Sequence, residues 1–441
     1  MNDPARPMPG GGETLAEQAR ALVRSSPSGR AVVRLAAAVD AARTIAPAVA
    51  VLGHQGTIAV DTPAAIGAVP GPVLELPRHV AMPPLVNAHA HLDLTGVGEV
   101  PFNGVFADWA GQVRSRRAQT PEAVAAAVHE GVRRSVAGGT GFIGDIAGNF
   151  GLAALESLRS CAEHEGLAGV GFVEVFGIGK GSARGVEFLK GLRESVVAER
   201  GGIRLGVSPH APYSCDDAVY AAAAELGLPL ATHLAETLDE LQFVRDGSGP
   251  FRELLKSVGA WTPELAGWGH GPVERLQEVL QGTAALLVHL NYLDQVEFDR
   301  LVQRVTKGRG SVAVYCPRAS AFFRHPAKGR PAHRYRDMLA AGLPVALGTD
   351  SAIVLGDAPT ISVLDEMRLL HRRDATPAAT LVAMATVHGA AALGVDPSLV
   401  QLPSGARRGA ASLIAVPVSA AAAGPVTGML ESDQPCEWLW R

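Results

Sequence analysis

From Val80 onward the chain alternates short apolar runs with helix-forming stretches, and no other feature limits its fold as strongly. Strands that alternate with helices build parallel sheets, because a parallel return needs a crossover long enough to hold a helix. Eight runs read as strands: residues 81–87, 140–146, 167–176, 203–208, 228–232, 284–288, 311–315 and 344–347. Segments rich in Ala, Leu, Glu and Arg with helical spacing lie between most of them, such as residues 121–137, 152–165, 218–226 and 335–341. Eight strand–helix units fit an α/β fold of the (β/α)8 TIM-like barrel type. A doubly wound sheet is the competing arrangement.

The flanks read differently. Residues 1–28 are expected to be a flexible N-terminal tail carrying a short helix at about residues 13–24. Residues 29–79 hold short β-like runs separated by Gly, Pro and Ser, the first part of a small β-domain. The barrel is expected over 80–394, and residues 395–441 should supply the second part of the β-domain. The terminal Glu437-Trp-Leu-Trp440 suits a closing strand. The two parts together would make a small composite β-sandwich beside the barrel.

Several function classes are disfavoured. A net charge of −4 without basic runs gives no electrostatic case for nucleic acid. The four cysteines, Cys161, Cys215, Cys316 and Cys436, are far apart, which argues against a disulfide framework and a cysteine zinc site. No apolar run is long and charge-free enough to span a membrane. Met1 to Gly12 lacks the apolar core of a signal peptide, so the cytoplasm is the expected compartment. The β-domain and the apolar C-terminal end leave a homodimer open.

The polar residues fall at strand ends, where barrels place their chemistry. Strand one ends in His89-Ala-His91, whose imidazoles leave the strand on one face. With 14 histidines in the chain, one His-X-His alone would be unremarkable. Strand four, however, runs into Ser208-Pro-His210, strand five into His233-Leu-Ala-Glu236, and strand six into His289. Strand seven leads to Cys316-Pro-Arg318 and strand eight to Gly348-Thr-Asp350.

In these motifs the chain resembles the metal-dependent amidohydrolase superfamily. The nearest branch is the cytosine deaminase/chlorohydrolase group, which includes adenosine-type and aminodeoxyfutalosine deaminases. The resemblance rests on Pro84-Leu-Val-Asn-Ala-His-Ala-His-Leu92, Ser208-Pro-His-Ala-Pro-Tyr-Ser214, Thr232-His-Leu-Ala-Glu-Thr237, Val288-His289 and Leu347-Gly-Thr-Asp-Ser351. It implies that His89, His91, His233 and Asp350 bind one divalent metal, and that Glu236 and His289 work on water and substrate. Three imidazoles and a carboxylate suit Zn²⁺ or Fe²⁺, with a position left for water. Asp350 would take the water's proton, Glu236 would carry a proton to a ring nitrogen, and His289 would stabilise the attacking oxygen. Related two-metal enzymes bridge their ions with a carboxylated lysine at the end of strand four. Here no lysine stands between Ile203 and Tyr213, so a single metal is expected.

The resemblance also implies that His210 contacts substrate. Trp109 could stack on a heterocycle, and Arg116 or Arg117 could meet a carboxylate or phosphate. Arg318 and His325 could reach the substrate, while Asp145 and Glu174 could line the pocket or hold its loops. The other histidines read as surface or structural. The expected activity is deamination of a small heterocyclic substrate, a purine, pyrimidine or nucleoside-like amine. Dechlorination or cyclic-amide opening on the same scaffold is the close alternative, and a non-catalytic ligand-binding homologue is the distant one.

Overall fold

The computed structural model describes residues 13–148, 150–195, 198–280, 282–306, 310–404 and 408–441. Residues 1–12, where the expected tail begins, lie outside the described residues. The chain divides into two units, one from the segments Met1–Pro83 and Gln401–Arg441, the other Pro84–Val400.

In the first unit, helix Leu15–Ser25 starts at a capping box. Thr14 Oγ1 accepts from Glu17 N at 3.3 Å, and the Glu17 carboxylate accepts from Thr14 N at 2.8 Å. The helix buries Ala19 and Val23 in a core with Val33, Leu35, Ala50 and Leu52. Those residues belong to a sheet whose first strands are β1 (Arg30–Val39), β2 (Thr44–Ile45), β3 (Ala48–Gly53), β4 (Gly56–Asp61) and β5 (Val73–Met82).

The second unit carries β6 (Leu85–His91), β7 (Thr140–Ala147), β8 (Ala168–Val175), β9 (Glu199–Arg200), β10 (Ile203–Pro209), β11 (Ala231–Leu234), β12 (Leu286–His289), β13 (Val312–Tyr315), β14 (Val345–Leu347) and β15 (Asp350–Ser351). Parallel ladders run β6-β7-β8-β10 and β11-β12-β13-β14. A parallel bridge from Val207 to Leu230 links β10 to the approach of β11. Past β14, Asp350 and Ser351 pair in parallel with Ala90 and His91 of β6. The ladder thus returns to its first strand, and the sheet closes as a barrel. Strands β11 to β14 are buried throughout, as a barrel wall covered on both faces requires.

One expected strand is corrected. Residues 81–87 straddle Pro83 and Pro84, and proline has no N–H for a ladder. The chain changes sheets there: β5 ends at Met82 and β6 begins at Leu85. After the barrel, β16 (Leu413–Pro417) and β17 (Glu437–Trp440) rejoin the first unit's sheet, in the order β17-β16-β5-β1-β3-β4 with β2 on β1. Where a sandwich is expected from the sequence, hydrogen bonds join the described strands of this unit into one seven-stranded sheet.

Candidate metal centre and active site

Strand β6 places His89 and His91 on one face, their ring centroids 4.9 Å apart. Strand β11 brings His233 opposite them, and one ligand nitrogen from each of the three lies within 4.8 Å of the others. His91 Nε2 is 3.3 Å from His233 Nε2 and 3.8 Å from Asp350 Oδ1. His233 Nδ1 donates to the His210 carbonyl at 2.9 Å, so Nε2 keeps the lone pair. His89 Nε2 is buried without a hydrogen-bond partner. Burial lowers both His91 and His233 to about 4, so these rings are neutral at neutral pH. The lone pair of His233 Nε2 thus faces His91 Nε2, and His89 Nε2 beside them lacks a partner, which a cation among the three would supply. The donor set therefore fits a divalent cation such as Zn²⁺.

The loop from β14 to β15 is fixed against β6. Asn87 Nδ2 donates to Thr349 Oγ1 at 2.8 Å, and Thr349 N donates to the His89 carbonyl at 2.9 Å. Gly348 makes the approach possible, since a Cβ there would lie 2.8 Å from His89 Cβ and 2.9 Å from Cys316 Sγ.

Glu236 and His289 face each other, Oε1 to Nε2 at 3.5 Å, with both side chains almost fully buried. Burial first, then the charges of Asp350 and Glu240, hold the Glu236 carboxyl well above the usual carboxylate range. Burial and the neighbouring imidazoles hold His289 far below its usual range, hence neutral. The Glu240 carboxylate accepts from both Ala235 N and Glu236 N at 2.8 Å, and Asn291 Nδ2 donates to the Glu236 carbonyl at 3.1 Å. His333 Nδ1 accepts from Tyr335 N, so its Nε2 carries the proton donated to the His289 carbonyl at 2.7 Å. Ala235, His289, Leu290 and Asp350 all have positive φ, between 51° and 74°. For residues with a Cβ this costs about 1–3 kcal/mol each and clusters at working sites.

A second trio, Glu174, His210 and His233, also lies within 4.8 Å. His233 Nε2 already faces His91, and His210 Nδ1 is hydrogen-bonded to Ser214 Oγ at 2.7 Å. Only Glu174 and His210 Nε2 remain to ligate there, too few for a second tightly held ion.

A model of the amidohydrolase family matches residues 80–406. The chain belongs to that family. It is 31% identical over 306 residues to an aminodeoxyfutalosine deaminase of Deinococcus radiodurans, covering 65% of this chain and 67% of that one. Helicobacter pylori aminofutalosine deaminase, solved with methylthio-coformycin, shares the fold with a TM-score of 0.72 at 18% identity, over 92% of this chain and 97% of that one. The zinc complex of an atrazine chlorohydrolase from Arthrobacter aurescens superposes with a TM-score of 0.70 at 18% identity, over 92% of each chain.

Of this amidohydrolase's other expected site residues, His210 joins the cluster, its ring 4.9 Å from that of His233. Trp109 and Arg318 are not brought there with a free polar group. Trp109 Nε1 donates to the Val100 carbonyl at 3.0 Å, and its ring packs edge-on to Phe323. Arg318 is held by Glu366 at 2.6 Å and by the Ser362 carbonyl at 3.0 Å. Arg116 bonds the Glu99 carbonyl, whereas the charge of Arg117 acts on Glu174. His325 bonds the Tyr292 hydroxyl at 2.8 Å. Glu240, Asn291 and His333 were not foreseen as supports. Only Glu240 had a signal, the capping pattern Thr237-Leu-Asp-Glu240.

Proposed function

We propose that the chain is a metal-dependent hydrolase that deaminates a nucleoside-like aminated heterocycle and releases ammonia. The observation that carries this reading is the buried Glu236 carboxyl 3.5 Å from His289, beside the His89–His91–His233–Asp350 cluster. These four residues would hold one Zn²⁺, with Fe²⁺ as the second choice. Bound there, the cation supplies Lewis-acid chemistry and brings the pKa of a water toward neutrality. Asp350 takes a proton from the attacking water. Glu236 delivers one to the ring nitrogen next to the attacked carbon. His289 hydrogen-bonds the incoming oxygen and stabilises the tetrahedral stage. The C–O bond forms; Asp350 passes the proton it took to the amino group, the oxygen's remaining proton returns to Glu236 as C=O forms, and the C–N bond breaks with release of ammonia. His210 contacts the substrate. The Deinococcus relative, an aminodeoxyfutalosine deaminase, and the methylthio-coformycin held by the Helicobacter enzyme support a nucleoside substrate. The free cysteines suit a reducing cytoplasm, which is part of the proposal.

Hydrolytic dechlorination is the second reading, favoured by the fold shared with atrazine chlorohydrolase. Zinc-loaded protein would be given aminopurine nucleosides, aminopyrimidines and chlorinated triazines, with ammonia and chloride both measured. Ammonia release abolished by a chelator is the expected result. Chloride release without ammonia would replace deamination by the second reading.

A further inference from the structure

The chemistry above leaves one end of the cluster unused. Glu174, near the end of β8, has a side chain only 6% exposed, yet its Oε1 has no hydrogen-bond partner. It faces His210 Nε2 at 3.9 Å, too far for a hydrogen bond. His210 Nδ1 is held by Ser214, so Nε2 is the free nitrogen. Phe176 is 50% exposed, and its ring lies against His210 with centroids 4.7 Å apart and planes tilted by 30°. Behind the carboxyl stands Gly148, where a Cβ would come within 2.9 Å of Glu174 Oε2. An unmatched buried acid, a free imidazole nitrogen and an exposed aromatic face thus meet at one edge of the histidine cluster.

The charges there narrow the ligand. Burial and the charge of Asp93 push the Glu174 carboxyl up to about 8, partly opposed by Arg117. Its oxygens accept, and His210 Nε2 faces the same space. An anion would be desolvated beside Asp93 and Glu174. A cation would be repelled by the charge of Arg117. A hydroxyl is uncharged, donates to the carboxyl oxygens and accepts at its own oxygen.

We propose that Glu174, together with His210 and the face of Phe176, forms a subsite for the vicinal hydroxyls of a nucleoside sugar, an inference that rests on the deaminase reading. The base reacts at the histidine cluster, and the sugar on it extends past His210 to the carboxyl. A site built around hydrogen bonds to substrate hydroxyls rejects the analogue lacking them, because its buried polar groups are left unpaired.

The test compares 5′-methylthioadenosine with its 2′,3′-dideoxy counterpart on zinc-loaded protein. Binding is read by calorimetry and turnover by ammonia release, in the wild type, Glu174→Ala and Glu174→Gln, with zinc content checked in each. The wild type is expected to prefer the hydroxylated compound by about 10²-fold or more. Glu174→Ala should shrink that preference at least about tenfold by weakening the hydroxylated compound alone, and Glu174→Gln should recover part of it. No preference in the wild type, failure of both compounds to bind, or equal losses for both in Glu174→Ala would overturn the subsite. A preference in binding without any ammonia release would overturn the deaminase reading and leave the subsite standing.

Discussion

At the scale of single residues, Glu236 and Asp145 show the same burial producing different consequences. In the proposed mechanism the buried Glu236 carboxyl, 3.5 Å from His289, carries a proton to the substrate. Glu236→Gln keeps the shape and removes that proton. It should lower kcat by about 10²–10⁴-fold while zinc content stays unchanged, as metal analysis alongside steady-state kinetics would show. Asp145, paired with Ala90 between His89 and His91, is fully buried, with Oδ1 accepting from Leu92 N at 2.9 Å and Oδ2 without a partner. Burial raises its carboxyl to about 8. A raised folded-state value means that the native state binds the proton more tightly than the unfolded chain. The stability this contributes is complete below about 4, the unfolded value, and is lost as pH rises toward about 8. Asp145→Asn keeps the Leu92 bond and cannot ionise. Denaturant unfolding should therefore show the variant gaining on the wild type from pH 5 to pH 9; a difference independent of pH would contradict this assignment.

At the scale of elements, the turns after the strands do the positioning. Helix Leu238–Asp246 begins at Thr237, whose Oγ1 accepts from Glu240 N at 3.1 Å. That cap sets Glu240, and Glu240 in turn grips the backbone of Ala235 and Glu236. Thr237→Ala should cost about 0.5–2 kcal/mol in an unfolding titration and lower kcat more than zinc content. Gly348→Ala forces a Cβ against His89 and Cys316. It should cost about 1–3 kcal/mol and weaken zinc retention during dialysis, because His89 and the loop to Asp350 must move apart. Much of this scale could be read from the sequence. Barrel strands are buried on both faces, so they appear as continuous apolar runs, and the histidines at their ends give the direction of the site. The break between β5 and β6 could also have been read, since Pro83 and Pro84 mark it. The fates of Trp109 and Arg318 could not. Arg318 is neutralised by Glu366, 48 residues away, and nothing in local pattern reveals such a pairing. Positive φ at Ala235, His289 and Asp350 is equally silent, because the sequence there has no glycine to announce it.

At the scale of the whole molecule, the barrel closes through the same segment that carries Asp350, so closure also places the carboxylate proposed as a metal ligand. Binding to the native state alone raises stability by mass action. Zinc at about a hundredfold its Kd should add about 2.7 kcal/mol to unfolding, and a chelator should remove it. The most direct test of the central claim titrates zinc into the metal-free protein while ammonia release from 5′-methylthioadenosine is followed. The rate should rise to a plateau at one zinc per chain and vanish in Glu236→Gln with the zinc still bound. Protein holding one zinc per chain that releases no ammonia, or a Glu236→Gln variant as fast as the wild type, would contradict the account.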